Sequence, residues 1–153
     1  MSHSIDIAAV EDNRMLVDSL RAWPSESRGI RLAAVASTAD ELLRVRREPV
    51  DVVLLNAALR AEPDPTRNVR RLIDAGHRVL VIDGPAEPIS PARALATGAG
   101  GYLTRDHDLA ALAGTLRAIA AGVRAWSVRP TVAAEPEEGR KALNSGSSQG
   151  AVR

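Results

Sequence analysis

The chain has 153 residues, enough for one domain with its own hydrophobic core and a short additional segment. A formal net charge of +1 gives no general attraction to nucleic acid or membrane, and 45% hydrophobic with 25% charged residues is typical of a globular protein. The absence of cysteine excludes disulfides, thiolate nucleophiles and zinc-thiolate sites. The start "MSHSIDIAAVEDN" is not a signal peptide and no apolar run could cross a bilayer, so we expect a cytoplasmic protein without a membrane partner.

Short apolar segments alternate with helical patterns along most of the chain. These segments are brief, rich in β-branched residues and nearly continuous, which is typical of strands buried on both faces of a parallel sheet. They are "IDIAAV" (5–10), "IRLAAV" (30–35), "VDVVLL" (50–55), "RVLVID" (78–83) and, more weakly, "GGYL" (100–103).

A helical segment follows each predicted strand. The features that define these helices are the apolar face Leu16–Leu20–Trp23, a capping box of Thr38 with Glu41, a first-turn Pro65 with a terminal Gly76, the short segment 91–97, and the stripe Leu109, Leu112, Leu116 and Ile119. Strict alternation predicts an α/β fold, a doubly wound five-stranded parallel sheet flanked by helices and flavodoxin-like in class. This domain covers residues 1–126; residues 127–153, rich in Pro, Gly and Ser, are predicted to be a linker or disordered tail.

Ligands of such sheets bind beyond the carboxyl ends of the strands. The polar residues immediately after the predicted strands are Glu11 and Asp12, Asn56, Asp83, and Thr104 with Arg105. We expect them to converge in one crevice. The two histidines near turns, His77 and His107, are interpreted as surface or capping residues.

The motifs "AVEDN", "DVVLLN", "VLVIDG" and "GAGGYLTR", in this order and spacing, resemble the receiver domain of bacterial response regulators over about residues 5–126. The stretch "GAGGYLTRDHDLAALAGTLRAIAAGVRAWS" is similar to the last strand and helix of NarL/FixJ-type regulators. The resemblance implies the receiver fold and a role in signal transduction and transcription regulation within a two-component system.

Three positions match what the resemblance implies. Glu11 and Asp12 correspond to the acidic pair that holds magnesium in the family, and Tyr102 corresponds to an aromatic switch that rotates when a neighbouring hydroxyl moves. The loop "NAALRAEPDPTRN" departs from the family, with Arg60 at a position where a proline is usual. It is either a tolerated loop insertion or an altered contact with a partner or ligand.

Three further positions depart from the family pattern. Asn56 stands where the family has its phosphoryl-accepting aspartate, and an amide is not a usable nucleophile. Asp83 replaces a Ser or Thr hydroxyl by an anion, and two unit charges at roughly 5 Å and an effective dielectric of about 20 repel by about 3 kcal/mol. Arg105 replaces a lysine and prefers a bidentate carboxylate partner. We therefore predict an ion pair between Asp83 and Arg105 in place of the phosphate-lysine contact; the alternative is drift in an unused pocket.

No cofactor is expected. Magnesium is the one candidate, through Glu11 and Asp12, and would require these carboxylates and Asp83 to meet in one small volume. Small side chains in the fourth and fifth helices favour a homodimer through helix 4, strand 5 and helix 5, a common dimer surface in the family. A small-molecule ligand is the other expected partner. DNA would be bound only through a C-terminal domain absent from this chain, which is either a truncated transcription factor or a stand-alone module.

The sequence thus predicts a non-enzymatic, atypical response regulator receiver domain, acting without aspartyl phosphorylation through dimerisation or ligand binding. Two alternatives stay open. One is a phosphorelay receiver that uses a different acidic residue. The other is a small-molecule binder or enzyme on a flavodoxin-like fold, which would require a nucleophile or a phosphate-binding loop that the sequence does not show.

Overall fold

The fold is built on one parallel sheet. The computed structural model describes residues 4–23, 29–84, 88–105 and 109–126. Its strands are β1 (Ile5–Val10), β2 (Ile30–Ala36), β3 (Val52–Asn56), β4 (Val79–Asp83), β5 (Gly101–Thr104) and β6 (Ala125–Trp126). The spatial order is β2-β1-β3-β4-β5-β6, and every neighbouring pair is parallel. The predicted doubly wound sheet is confirmed, and the two-residue β6 extends it beyond the five predicted strands.

Helices connect successive strands and cover both faces of the sheet. They are α1 (Arg14–Ala22), α2 (Ala39–Val45), α3 (Pro65–Asp74), α4 (Pro91–Thr97) and α5 (Leu109–Ala120). The predicted capping box is half formed: Thr38 Oγ1 accepts from Glu41 N at 3.0 Å, whereas Glu41 Oε1 accepts from Ser37 N and Oγ rather than from Thr38. Within the described ranges, no helix combines the length and the apolar character that a membrane crossing would need.

The core lies in two layers because successive side chains of a strand point to opposite faces. The layer under α2, α3 and α4 includes Val53, Leu55, Val79, Val81, Tyr102, Leu42, Val69 and Leu72. The layer under α1 and α5 includes Ile7, Ala9, Val52, Leu54, Leu80, Leu103, Trp23, Leu116 and Ile119. Strands β1, β3 and β4 are thus enclosed on both faces, as their nearly continuous apolar sequences predict.

Helix α1 is packed more loosely than its neighbours. None of its residues is fully buried: Leu16, Val17 and Leu20 are only half-buried, and Trp23, the buried member of the predicted apolar face, lies just after its last residue. By contrast, four residues each of α3 and α5 are buried, including Leu72 and Leu116. Space therefore remains between α1 and the sheet.

The unusual loop after β3 is held by contacts within the chain. The carboxylate of Glu62 accepts from Ala39 N at 2.6 Å and from Asp40 N at 3.1 Å, at the start of α2. Arg71 Nη1 lies 3.6 Å from Glu62 Oε2, and Asn68 Nδ2 donates to Glu62 O at 2.9 Å. Glu62 thus serves as a second cap for α2, and this part of the loop has an internal structural role.

The interpretation of His77 as a surface residue is wrong, and His107 lies outside the described residues. His77 is 5% exposed, and its Nδ1 accepts from Val50 N at 3.2 Å. Burial lowers the pKa of His77 below its ordinary value of 6.5, and the charge of Arg46 lowers it further. The neutral imidazole satisfies the backbone N–H at the entrance to β3, which explains its position after the turn at Gly76.

The depressed pKa of His77 predicts a pH dependence of stability. Below about pH 6.5 the unfolded chain protonates this histidine before the folded chain does, so the free energy of unfolding falls as the pH falls through that window. Above it, His77 is neutral in both states and contributes no pH dependence. We expect His77→Asn, whose amide oxygen can replace Nδ1 as acceptor, to flatten this part of the profile in urea titrations. His77→Ala should flatten the profile as well but should also cost about 1–3 kcal/mol at neutral pH, because Val50 N loses its acceptor. Parallel pH profiles for the wild type and His77→Asn would contradict this assignment.

Candidate functional site

Polar side chains from four neighbouring strands meet at the carboxyl edge of the sheet. Glu11 follows β1, Asn56 ends β3, Asp83 ends β4 and Arg105 follows β5. The strand registers align these ends, pairing Asn56 with Ile82 and Asp83 with Thr104. The structure therefore brings Glu11, Asn56 and Arg105 into one crevice, at the edge where doubly wound sheets bind ligands, whereas Asp83 lies on the other face of the sheet with Tyr102.

Asn56 and Glu11 form the buried centre of this crevice. They are 4% and 7% exposed, and Asn56 Nδ2 donates to Glu11 Oε2 at 2.7 Å. On its other side the Asn56 amide accepts, through Oδ1, from Ala58 N at 2.8 Å. The amide thus uses a donor and an acceptor at once, which a carboxylate at this position could not do.

The two members of the acidic pair have different partners. Glu11 Oε2 also accepts from Asn13 N at 3.0 Å, and Arg105 Nη2 lies 3.9 Å from Glu11 Oε1. Asp12 turns toward the loop after β3, where its Oδ2 accepts from Arg60 N at 2.8 Å and lies 3.7 Å from Arg60 Nε. The sequence does not predict Arg60 as a site residue. The one signal for this contact is the place of Arg60 in the unusual loop after Asn56.

This arrangement does not fit a magnesium ion. Magnesium is held by oxygen ligands in near-octahedral geometry, but the amide nitrogen of Asn56 points at Glu11, and Glu11 and Asp12 are bonded to separate partners. In the part of the chain that the structure describes, no group of three or more His, Asp or Glu residues is placed to hold a metal.

Asp83 and Tyr102 form a second buried pair. Asp83 is fully buried, Tyr102 is 1% exposed, and Tyr102 Oη donates to Asp83 Oδ2 at 2.7 Å. Gly84 N donates to Asp83 Oδ1 at 3.0 Å. The aromatic residue at the predicted switch position is therefore held inside the core by a carboxylate.

The predicted ion pair between Asp83 and Arg105 is wrong. Side chains alternate along each strand, so Asp83 lies on the face of Val81 and Tyr102, whereas Arg105 lies on the face of Leu103 with Glu11 and Asn56. Tyr102 and Gly84 satisfy the Asp83 carboxylate, and the nearest carboxylate recorded for the Arg105 guanidinium is Glu11.

A cavity of about 180 Å³ lies beside the Asn56–Glu11 pair, between the sheet, α1 and α5. Its wall is mainly aliphatic and includes Leu16, Leu20, Leu54, Ile82, Leu103 and Leu112. An open polar depression adjoins it, lined by Asp12, Asn13, Arg14, Asn56, Ala58, Arg60 and Arg105. Asn56 and Arg105 line both spaces and form the boundary between them.

Comparison with solved structures finds receiver domains. A LuxR-family two-component response regulator from Aurantimonas sp. SI85-9A1 is 28% identical, with a TM-score of 0.66 over 79% of this chain and 88% of its own. The signal receiver domain of NarL from Mycobacterium tuberculosis is 21% identical, with a TM-score of 0.64 over 78% of this chain and 98% of its own. A structure of two RcsB dimers bound to two parallel DNAs is 11% identical, with a TM-score of 0.66 over 81% of this chain and 64% of its own.

The chain therefore has the receiver fold, and its structural neighbours are receiver domains of LuxR- and NarL-family response regulators. No protein-family model and no curated protein sequence matches it.

The Asn56–Glu11 contact predicts that a carboxylate at position 56 destabilises the fold. Asn56→Asp replaces a donor by an anion at hydrogen-bond distance from Glu11, and we expect a loss of about 2–3 kcal/mol in the free energy of unfolding at neutral pH. The loss should shrink as the pH falls, because the two carboxylates can then share a proton.

The matched control is the double variant Glu11→Gln with Asn56→Asp, which exchanges the amide and the carboxylate across the same contact. It should recover most of the lost stability in urea denaturation. Equal destabilisation of the single and double variants would contradict the importance of this hydrogen bond.

Proposed function

We propose that this chain is a receiver-type regulatory domain that acts in signal transduction and transcription regulation without aspartyl phosphorylation. The observation that carries the proposal is Asn56 at the acceptor position, with its amide nitrogen bonded to Glu11 at 2.7 Å. The receiver fold and the LuxR-family neighbour at 28% identity support the regulatory role. We infer a non-catalytic protein of the cytoplasm, like the signalling class it resembles.

Two features at this edge of the sheet oppose phosphoryl transfer. An amide nitrogen has no lone pair available for attack on phosphorus, so position 56 cannot form an acyl phosphate. On the other face of the sheet, the fully buried Asp83 stands where the family has a hydroxyl donor, and its carboxylate is bonded to Tyr102.

The hydrogen bond between Asp83 and Tyr102 supports the proposal that Tyr102, at the family's switch position, is held in one rotamer. A hydrogen bond to a charged group contributes about 1.5–3 kcal/mol, which corresponds to a roughly ten- to hundred-fold bias toward the buried Tyr102 rotamer. Tyr102 Oη also lies 3.5 Å from Ile89 O, ahead of α4. In this proposal the folding of the chain sets the conformation of β5 and α4, which phosphorylation controls in the family it resembles.

Incubation with a small phosphodonor and magnesium, followed by intact-mass measurement, tests the proposal. We expect no mass gain for the wild-type chain, and an authentic receiver domain treated in parallel serves as the control for donor activity. A gain of one phosphoryl group that disappears on Glu11→Gln or Asp12→Asn would overturn the proposal in favour of a phosphorelay receiver that uses a different acidic residue.

A triple variant identifies which residues block the reaction. Asn56→Asp, Asp83→Thr and Arg105→Lys together restore the family's chemistry at all three positions, and this variant should gain a phosphoryl group. Asn56→Asp alone should react more weakly, because Asp83 still stands in place of the family's hydroxyl donor.

We also propose a homodimer through α4, β5 and α5. The dimeric RcsB structure among the neighbours supports this choice of assembly. Gly114 of α5 is exposed, and a Cβ at this position would meet no atom within 4 Å. In this proposal that open surface receives the partner helix. Contact with DNA would pass through a separate DNA-binding domain.

Gly114→Glu tests the dimer. It adds a charged side chain at the proposed interface, and because Glu has a higher helix propensity than Gly by about 0.5–1 kcal/mol, it should not unfold α5. We expect light scattering to show a shift from dimer to monomer with the melting temperature unchanged or raised. Arg70→Glu, on the exposed side of α3, is the charge control and should remain dimeric. A dimer that survives Gly114→Glu would rule out this interface. Ala111 is a poorer probe because it is half-buried.

A further inference from the structure

The cavity under α1 has the size and lining of a ligand site. Its volume of about 180 Å³ is slightly larger than the roughly 150 Å³ engineered apolar cavity that stays dry and binds benzene. Side chains from α1, α5 and four strands form its aliphatic wall, among them Leu16, Leu54 and Leu112. One aromatic ring or a short acyl chain would therefore fit.

The packing of α1 indicates that this space is not filled by the chain itself. Leu16 and Leu20 line the cavity and are only half-buried, and α1 has no fully buried residue. An apolar group in the cavity would remove these leucine surfaces from water or empty space and would restore the contacts that α1 lacks.

The neighbouring depression supplies the charge that such a ligand would need. Arg14, Arg60 and Arg105 line it, and among the described residues Asp12 is the one acidic side chain in its wall. Arg60 Nε lies 3.7 Å from Asp12, and Arg105 Nη2 lies 3.9 Å from Glu11, so both ion pairs are longer than hydrogen bonds. These guanidinium groups can turn toward an anion without breaking a short contact, and the planar guanidinium group matches a carboxylate in bidentate geometry.

We propose that this crevice binds a small carboxylic acid with one aromatic ring or a short acyl chain. The apolar part lies in the cavity under α1, and the carboxylate lies in the depression against Arg105. This inference rests on the proposed function, because a ligand can control the domain here only if no phosphoryl group forms at the same crevice.

The position of Arg105 gives such a ligand a route to the switch. Arg105 directly follows β5, and its backbone N–H donates to Asp83 O at 2.9 Å. Asp83 in turn holds the Tyr102 hydroxyl. Arg105 is thus hydrogen-bonded, through its backbone N–H, to one member of the Asp83–Tyr102 pair. An anion bound to the Arg105 guanidinium acts on the pair through this contact.

The test uses the full chain and matched probes in NMR titrations. Phenylacetate and hexanoate are compared with phenylacetamide and hexanamide, which keep the apolar part but lack the charge, and with acetate and inorganic phosphate, which keep the charge but lack the apolar part. We expect saturable binding of the two acids that shifts the methyl signals of Leu16, Leu20, Leu103 and Leu112. The amides should bind about ten-fold more weakly, because they lose a charge-assisted hydrogen bond.

Two variants locate the site. Arg105→Gln should weaken the acids about ten-fold and leave the amides unchanged. Leu112→Phe should fill the cavity and weaken acids and amides alike. Arg70→Gln removes the same charge from the exposed side of α3, away from the crevice, and should leave all affinities unchanged.

Several results would overturn the inference. They are binding of neither acid, equal affinity for acids and amides, phosphate or acetate binding as tightly as the larger acids, or shifts confined to another part of the chain. The two experiments are independent. A mass gain with the phosphodonor would overturn the proposed function, whereas the NMR titration alone decides whether the acids bind.

Discussion

The two-residue alternation of side chains along β1, β3, β4 and β5 is the constraint on which the whole crevice depends. Because helices cover both faces of the sheet, every residue at a strand end belongs to one layer or the other. Glu11, Asn56 and Arg105 belong to the α1–α5 layer. Asp83 belongs to the α2–α4 layer with Tyr102. The polar residues therefore form two separate buried pairs rather than one continuous cluster.

In each pair, hydrogen bonds from the partner side chain and from a nearby backbone N–H satisfy the buried carboxylate. Glu11 is bonded by the Asn56 amide and by Asn13 N, and Asp83 is bonded by the Tyr102 hydroxyl and by Gly84 N. Burying an anion is unfavourable unless hydrogen bonds compensate it, so the donors at positions 56 and 102 are structural requirements of this core. The amide at position 56 is thus coupled to the stability of the fold, because the buried Glu11 carboxylate depends on its donor.

Much of this arrangement could be predicted from the sequence. The five strands and the placement of Glu11, Asn56, Asp83 and Arg105 at one edge of the sheet follow from apolar runs that end in polar residues. Charge complementarity alone predicts an ion pair between Asp83 and Arg105. The prediction fails because side chains alternate along β4 and β5, which places these two on opposite faces of the sheet. His77 was misassigned because a histidine after a turn carries no local sign that its Nδ1 will meet the Val50 amide.

Other features have no sequence signal of that kind. Strand β6 has two residues, too few for a periodic pattern. The cavity depends on how far α1 stands from the sheet, and that distance is set by the summed packing of both layers rather than by any motif. Glu62 was recognisable only as part of an unusual loop, because its contact with the start of α2 joins residues 23 positions apart in the chain.

The loose packing of α1 also divides the molecule into parts of unequal local stability. The free energy needed to open a helix away from its sheet depends on the apolar surface it buries, and α1 buries the flanks of a few leucines where α3 and α5 bury whole side chains. Of the three helices compared, α1 therefore requires the least free energy for local opening. Opening of this helix would expose the wall of the cavity while β3, β4 and the Asp83–Tyr102 pair keep their native contacts. Access to the cavity therefore depends on α1, whereas the stability of the fold depends on the central strands β3 and β4.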